Sequence, residues 1–519
     1  MNSDTTFGGT PLSPLGKIVI FAVIAFSGLL LRVGFYCEGR PVWEDEAALA
    51  MNVMDKTVSQ GFHSLDASRT DLSTNSTESP QACPIGYFIL LKTAARIAGP
   101  GPGPLRLVAL AASMLLLLLA AIWLARDFPF LVGVCAFAVL AFSGPLIEYS
   151  TEIKQYEWEA AVSAALLCFL RPGPLPWRKA WMWALLGALA VWCSFSSVFV
   201  LAGIGLALVC RQYLEPRETR WLRVAAIFAA WLFSFFSYYA LSLHRHHADT
   251  TLMAFFQGEF APFPRNYSAL KWYIDAYFMP VEGMLGWEFR WVALGGLLAA
   301  LGLIRLFFVN KVTLLVLVGP VLATMLACMA GRYPWGAHLL LFLAPNLAVL
   351  VAEGIVFLGG MLYARSLTCG LVFALIIGTG LLFSGLRPIR AAATYANYKF
   401  HDVPHLLDRV LSEMATGDTL YLYKPDVIQY RYYMKIRQLP PMPRFAYGTV
   451  EVQKSATEMD ALAQEISRAA QGGTCWVILS HTDWDEWRLA LLKQSLAANA
   501  GKVLQTEEFG GAHALKCSF

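Results

Sequence analysis

Charge is scarce in this sequence. Asp, Glu, Lys and Arg make up 15% of its 519 residues and apolar side chains 57%, with a mean hydropathy of +0.52. Soluble domains run nearer a quarter charged, so a water-soluble globular protein is excluded and an integral membrane protein is expected. Net charge is small too: +4 over this length gives no reason to invoke a nucleic-acid partner. No small-x-small cleavage site follows the first apolar run, Ile18 to Leu31; Arg32 comes next, so the run is expected to stay as a first membrane helix. Segment 387–519 lacks G-x-G-x-x-G, which removes support for nucleotide binding there. No internal repeat is evident.

What the chain has is apolar runs, at 15–35, 105–125, 130–148, 156–170, 177–194, 195–210, 221–243, 291–309, 312–330, 337–358 and 362–386. On a criterion of about 20 residues per span they predict a mostly α, polytopic protein of about 11 transmembrane helices. "PIGYFILLKTAARIAG" (84–99) is shorter and amphipathic and predicts an interfacial helix, cut from the next span by "GPGPGP" (99–104). Aromatic residues, 13% of the chain, suit interfacial belts and a substrate groove equally.

Placing the N-terminus in the cytoplasm puts "RPGPLPWRK", "RQYLEPRETRWLR" and "RLFFVNK" inside, as the positive-inside bias requires. Loops 37–104 and 244–290 and the segment 387–519 then lie outside. The division expected is a membrane domain, 1–386, and a small extracytoplasmic α/β domain, 387–519. In the latter, "TLYLY" and "CWVIL" read as buried strands, "VPHLLDRVLSEM" and "SATEMDALAQEISRAA" as helices. Of ten cysteines, six lie in apolar runs and read as small hydrophobes. The other four are outside, where conditions are oxidising, and predict the pairs Cys37–Cys83 and Cys475–Cys517. The sequons at Asn75 and Asn266 also fall outside.

Three polar clusters share that outer face. "VWEDEAALAMNVMDK" (42–56) sets Glu44, Asp45 and Glu46 at the start of an amphipathic helix expected to lie on the surface. A helix N-terminus favours ionised carboxylates. Successive residues point about 100° apart, so the three acids cannot share one job. "GPLIEYSTEIKQYEWEA" (144–160) packs Glu148, Glu152, Lys154, Tyr156 and Glu157 together, with Glu152 and Tyr156 four apart. "GRYPWGAHLLLFLAP" (331–345) brings Arg332, Tyr333 and His338, suited to gripping a phosphate at the membrane surface. The plain alternatives are solvated helix-start acids, a polar turn, and a snorkelling arginine in an aromatic belt. Span interiors read as almost free of ionisable groups, which argues against an ion-coupled transporter. His244 and His247 in "LHRHHADT", and His401 and His405 in "FHDVPH", read as polar caps rather than metal ligands.

Taken in order, "VWEDEAALAMN", "ACPIGYFILLK", "LRLVAL", "YSTEIKQYE" and "YPWGAHLLLFLAP" resemble the motifs of the GT-C superfamily of membrane glycosyltransferases. The nearest pattern is the bacterial branch related to protein O-mannosyltransferases and the aminoarabinose transferase acting on lipid A. The likeness covers most of the membrane part, and no single motif is specific alone. It implies inverting transfer of a sugar from a polyprenyl-phosphate donor to a lipid, glycan or protein acceptor at the outer membrane face. It implies Asp45 as general base, Glu46 beside it orienting the acceptor or helping to bind a cation, and Glu152 as the second acid. Lys154 and Tyr156 are placed near the phosphate, with Arg332, Tyr333 and His338 lining the carrier groove. Two departures stand out. His338 replaces the family's arginine, and Glu44 replaces an apolar residue before the key aspartate. Some relatives use a divalent cation and some do not, so the cofactor stays open. The competing classes are a lipid-linked glycan flippase and a non-catalytic scaffold.

Overall fold

The structure is a computed structural model and describes residues 12–63, 82–170, 175–214, 221–244, 256–286, 289–394, 400–438, 444–450, 452, 456–480 and 486–519. The sequon at Asn75 and His247 lie outside these. The membrane part runs through α1 (Pro14–Cys37), α2 (Glu44–Asp55), α3 (Val58–His63), α4 (Ile85–Ala98), α5 (Pro102–Asp127), α6 (Phe130–Ala141), α7 (Gly144–Tyr149) and α8 (Tyr156–Phe169). It continues with α9 (Trp177–Cys193), α10 (Ser197–Leu214), α11 (Trp221–Tyr238), α12 (Tyr267–Leu285), α13 (Phe289–Val309), α14 (Lys311–Met329), α15 (Ala344–Arg365) and α16 (Leu367–Ala393).

Among the described residues, seven helical stretches are long and apolar enough to cross a membrane: α1, α5, Trp221–Leu243, Trp291–Val309, α14, His338–Arg365 and α16. The other four runs expected to span form shorter helices, α6, α8, α9 and α10. One reason is local. The run 130–148 breaks after Ala141, where the Ser143 hydroxyl accepts the Leu146 N–H at 3.3 Å and starts α7 with Pro145 in its first turn. The loop 244–290 also holds a helix that was not expected, α12. The Asn266 side chain caps it by accepting the Ala269 N–H at 2.9 Å, and Gly286 closes it at φ 66°.

Helices α13 and α15 approach through glycine. A Cβ on Gly354 would collide with the Leu298 carbonyl oxygen, and one on Gly302 with that of Leu350. Gly354→Val is therefore expected to cost about 1–3 kcal/mol by overpacking. Its unfolding midpoint in detergent should fall, while Gly360→Ala, where a Cβ meets nothing within 4 Å, leaves the midpoint in place.

The bundle is less bare of charge than the sequence suggests. Buried Arg32 donates to the Ser113 hydroxyl at 2.6 Å and to the carbonyls of Ala141 at 2.8 Å and Leu140 at 3.1 Å. Ser113 in turn donates to Glu157. Buried Glu159 accepts from the Phe195 N–H at 2.8 Å and the Ser196 hydroxyl at 3.0 Å. These groups are bonded into the packing and lock helices together.

The C-terminal unit adds α17 (Val403–Glu413), α18 (Asp426–Ile436), α19 (Ala456–Ala470) and α20 (Glu486–Ala498) to β1 (Thr419–Leu422), β2 (Phe445–Tyr447), β3 (Thr474–Leu479), β4 (Lys502–Phe509) and β5 (Ala512–Ser518). The strand order is β2-β1-β3-β5-β4, with β1 parallel to β2 and β3 and the other pairs antiparallel. Alternation divides β3. Cys475, Val477 and Leu479 pack with α19 and α20, and Trp476 and Ile478 with α17. Both expected strands and both expected helices are therefore present. Helix α18 joins the two units. Tyr433 Oη accepts the Val42 N–H at 2.8 Å, Gln429 donates to the Val42 carbonyl, and Lys435 pairs with Asp55. This makes α2 a buried helix rather than one lying on the surface: Ala47 to Ala50 are fully enclosed.

Neither expected disulfide is formed; all ten cysteines are free. Cys475 and Cys517 do face each other in the β3–β5 register, both buried. Cys37 is exposed at the end of α1, whereas Cys83 is buried beside Pro84.

Candidate active site

The acid triplet forms the first turn of α2, and its members separate as helix geometry demands. Glu46 turns fully inward. Its Oε1 accepts from Arg106 Nε at 3.0 Å and the Ile153 N–H at 2.9 Å; its Oε2 accepts from Arg106 Nη2 at 2.7 Å and Arg40 Nη1 at 3.1 Å. The Trp43 N–H adds a capping-box bond at 3.4 Å. Burial alone would raise this carboxyl's pKa. The two guanidinium groups and the Ile153 amide outweigh burial and hold it at about 2. Glu46 thus ties α2, α5 and the loop before α8 to one point.

Asp45 faces elsewhere. Its side chain is 35% exposed, and Oδ2 lies 3.3 Å from Nζ of Lys154, which is itself almost enclosed. Glu152 is buried on the far side of the arginines, 4.0 Å from Arg40 Nη2, and the same nitrogen donates to the Thr151 carbonyl at 3.0 Å. Arg40 so stands between two carboxylates. Its guanidinium also lies 5.5 Å from the Phe400 ring, which brings the start of the C-terminal unit against this cluster.

Tyr156 opens α8 with its ring between Tyr149, at 5.3 Å, and His338, at 5.0 Å, and it lies within the field of Asp45. The "ACPIG" stretch joins the same place: Gln155 Nε2 donates to the Ala82 carbonyl at 3.1 Å. Of the phosphate-gripping residues expected near 331–338, only His338 reaches Tyr156. Tyr333 donates its hydroxyl to the Leu339 carbonyl at 2.8 Å and packs on Phe199, 4.9 Å between rings, so it braces the loop. Arg332 is exposed.

Arg40 and Arg106 are the site residues that reading the motifs missed. "LRL" marked the place of Arg106 without singling it out, and Arg40 stands two residues before the first motif. Glu44 does not complete a metal site. Among the described residues no three His, Cys, Asp or Glu converge as a ligand set, and an ammonium is the neighbour of Asp45. No step is routed through a cation. His405 pairs with Asp402 at 2.8 Å, in keeping with its reading as a polar cap.

No protein-family model and no curated protein matches the sequence. Solved structures do. ArnT from Cupriavidus metallidurans bound to undecaprenyl phosphate is similar with a TM-score of 0.50 at 13% identity, over 97% of this chain and 98% of that one; its apo state gives the same values. The apo oligosaccharyltransferase of Archaeoglobus fulgidus matches at 10% identity with a TM-score of 0.49, over 94% of this chain and 72% of that one. The chain shares its fold with ArnT.

Proposed function

We propose that this protein is an inverting glycosyltransferase that moves a sugar from a polyprenyl-phosphate donor to an acceptor hydroxyl on a lipid, glycan or protein. The observation that carries the reading is the Asp45–Lys154 pair: a carboxylate open to solvent, 3.3 Å from an ammonium, where the sequence motifs converge. The ArnT neighbour with undecaprenyl phosphate bound supports a lipid-phosphate donor. In the reaction, the acceptor oxygen attacks the anomeric carbon and its proton passes to Asp45. The bond from that carbon to the phosphate oxygen breaks, and the phosphate leaves with its charge held by Lys154. Glu46 and Arg106 act as positioning residues, fixing the turn that aims Asp45. Glu152 acts through Arg40, and Tyr156 and His338 form the aromatic wall where the sugar lies.

We place the protein in the inner membrane with its N-terminus cytoplasmic. The site and the C-terminal unit then face outward, as the positive-inside bias of the sequence suggests. A flippase needs a continuous polar path, and buried Arg32 is spent on the carbonyls of Gly28, Leu140 and Ala141.

The test is sugar release from a panel of polyprenyl-phosphate sugars by the purified protein, with and without chelator. Turnover of one donor is expected, and the chelator arm decides whether a divalent cation takes part. Failure on every donor and acceptor class offered would sink the transferase reading.

A further inference from the structure

Beside the acid cluster lies a cavity of about 550 Å³ that the proposed chemistry does not use. Its walls are Glu148 and Tyr149 of α7, Glu282 near the end of α12, Arg387 and Arg390 of α16, and Phe400. The two arginines, one helical turn apart, are exposed, and no carboxylate among the described residues pairs with either. Arg390 stands 6.0 Å from the Phe383 ring. Of the two acids, Glu148 acts electrostatically on Arg40, and Glu282 is exposed on the facing wall.

Phe383, which lines the cavity, joins it to the outer length of α16. Along the apolar length of α16, Leu371, Leu375, Leu382, Phe383 and Leu386 are all exposed. A chain lying there would deliver its head to Arg387 and Arg390. One aromatic step then reaches the acids: Tyr149 lines the cavity and touches Tyr156, and Tyr156 is in the field of Asp45.

We propose that Arg387 and Arg390 grip the phosphate headgroup of a lipid that enters sideways along α16. Paired guanidinium groups match phosphate oxygens by charge and by donor geometry. Glu148 and Glu282 accept hydroxyl or amino donors of the same headgroup. That the lipid is a substrate rests on the transferase reading; that it binds does not.

Binding is measured by native mass spectrometry on the purified full chain, with polyprenyl phosphate, phosphatidic acid and uncharged polyprenol as probes. Wild type should hold one or both phospholipid probes at least tenfold tighter than polyprenol. Arg387→Gln with Arg390→Gln should cut that preference at least fivefold, leaving what Lys154 supplies, and Arg387→Lys with Arg390→Lys should keep more of it. Loss confined to polyprenyl phosphate assigns the cavity to the carrier. Loss confined to phosphatidic acid assigns it to an acyl phospholipid. A double Gln variant that folds and keeps the wild-type preference overturns the proposal, as does a wild type with no preference. Asp45→Asn should bind as wild type does, so failure of the transferase reading would leave this result standing.

Discussion

Asp45→Asn should stop sugar transfer and leave the protein folded. The two side chains have the same shape. The Asn carbonyl can still accept from Lys154 Nζ, now at 3.3 Å from the carboxylate, so the turn of α2 keeps its place. An amide cannot take the acceptor's proton. General base catalysis is worth about 10²–10⁴ in rate, and the loss should fall in kcat with donor KM little changed. Lys154→Gln is expected to behave differently. It removes charge that meets the leaving phosphate, so it should cost about 10²-fold or more on the scale of a lost oxyanion donor. Its effect should be greatest for donors whose phosphate leaves poorly. Asp45→Asn should change the unfolding midpoint little, because Asp45 is partly in water and its amide still accepts from Lys154. Wild-type turnover by Asp45→Asn would move the base elsewhere, and Glu152 would be the next acid to test.

Much of this place was readable before any coordinates, and the limits of that reading are physical. A strand such as Thr474–Leu479 declares itself by a short apolar run between polar turns, and the acid triplet by helix-start chemistry. Asp45 and Lys154 were each marked by their own segment, although nothing in the sequence states their 3.3 Å separation. Helix α12 stayed hidden because Pro280 reads as a breaker, while its Asn266 cap looks like any loop residue. Arg40 and Arg106 were missed for another reason. A lone arginine at the end of an apolar run reads as a snorkelling or topological charge. Only the tertiary fold, which closes residues 40, 46, 106 and 153 on one another, makes them partners. Seeing α2 as a surface helix had the same origin: its polar first turn signals exposure until α18 is laid across it.

Glu46→Gln should then damage stability more than Gly354→Val does. The carboxylate is fully buried and carries two guanidinium groups and the Ile153 amide. A neutral amide leaves Arg40 and Arg106 enclosed with less than their charge in compensation. Breaking a buried pair from one side costs about 3–5 kcal/mol. Glu152, 4.0 Å from Arg40, offsets a fraction of this for that arginine and nothing for Arg106. The cost has a pH signature. Glu46 titrates at about 2 in the folded protein. An unfolded Glu titrates near about 4.3, so the stabilisation is complete above about pH 5 and is lost as pH falls towards 2. Wild type should show a falling unfolding midpoint over that window. Glu46→Gln should start lower at neutral pH and lack this component of the acid slope. Because Glu46 and Arg106 share their bonds, Arg106→Gln added to Glu46→Gln should cost much less than the sum of the two single changes. A Glu46→Gln protein that melts with wild type at pH 7 would show that the two arginines find other partners, and the hub would lose its role in aiming Asp45.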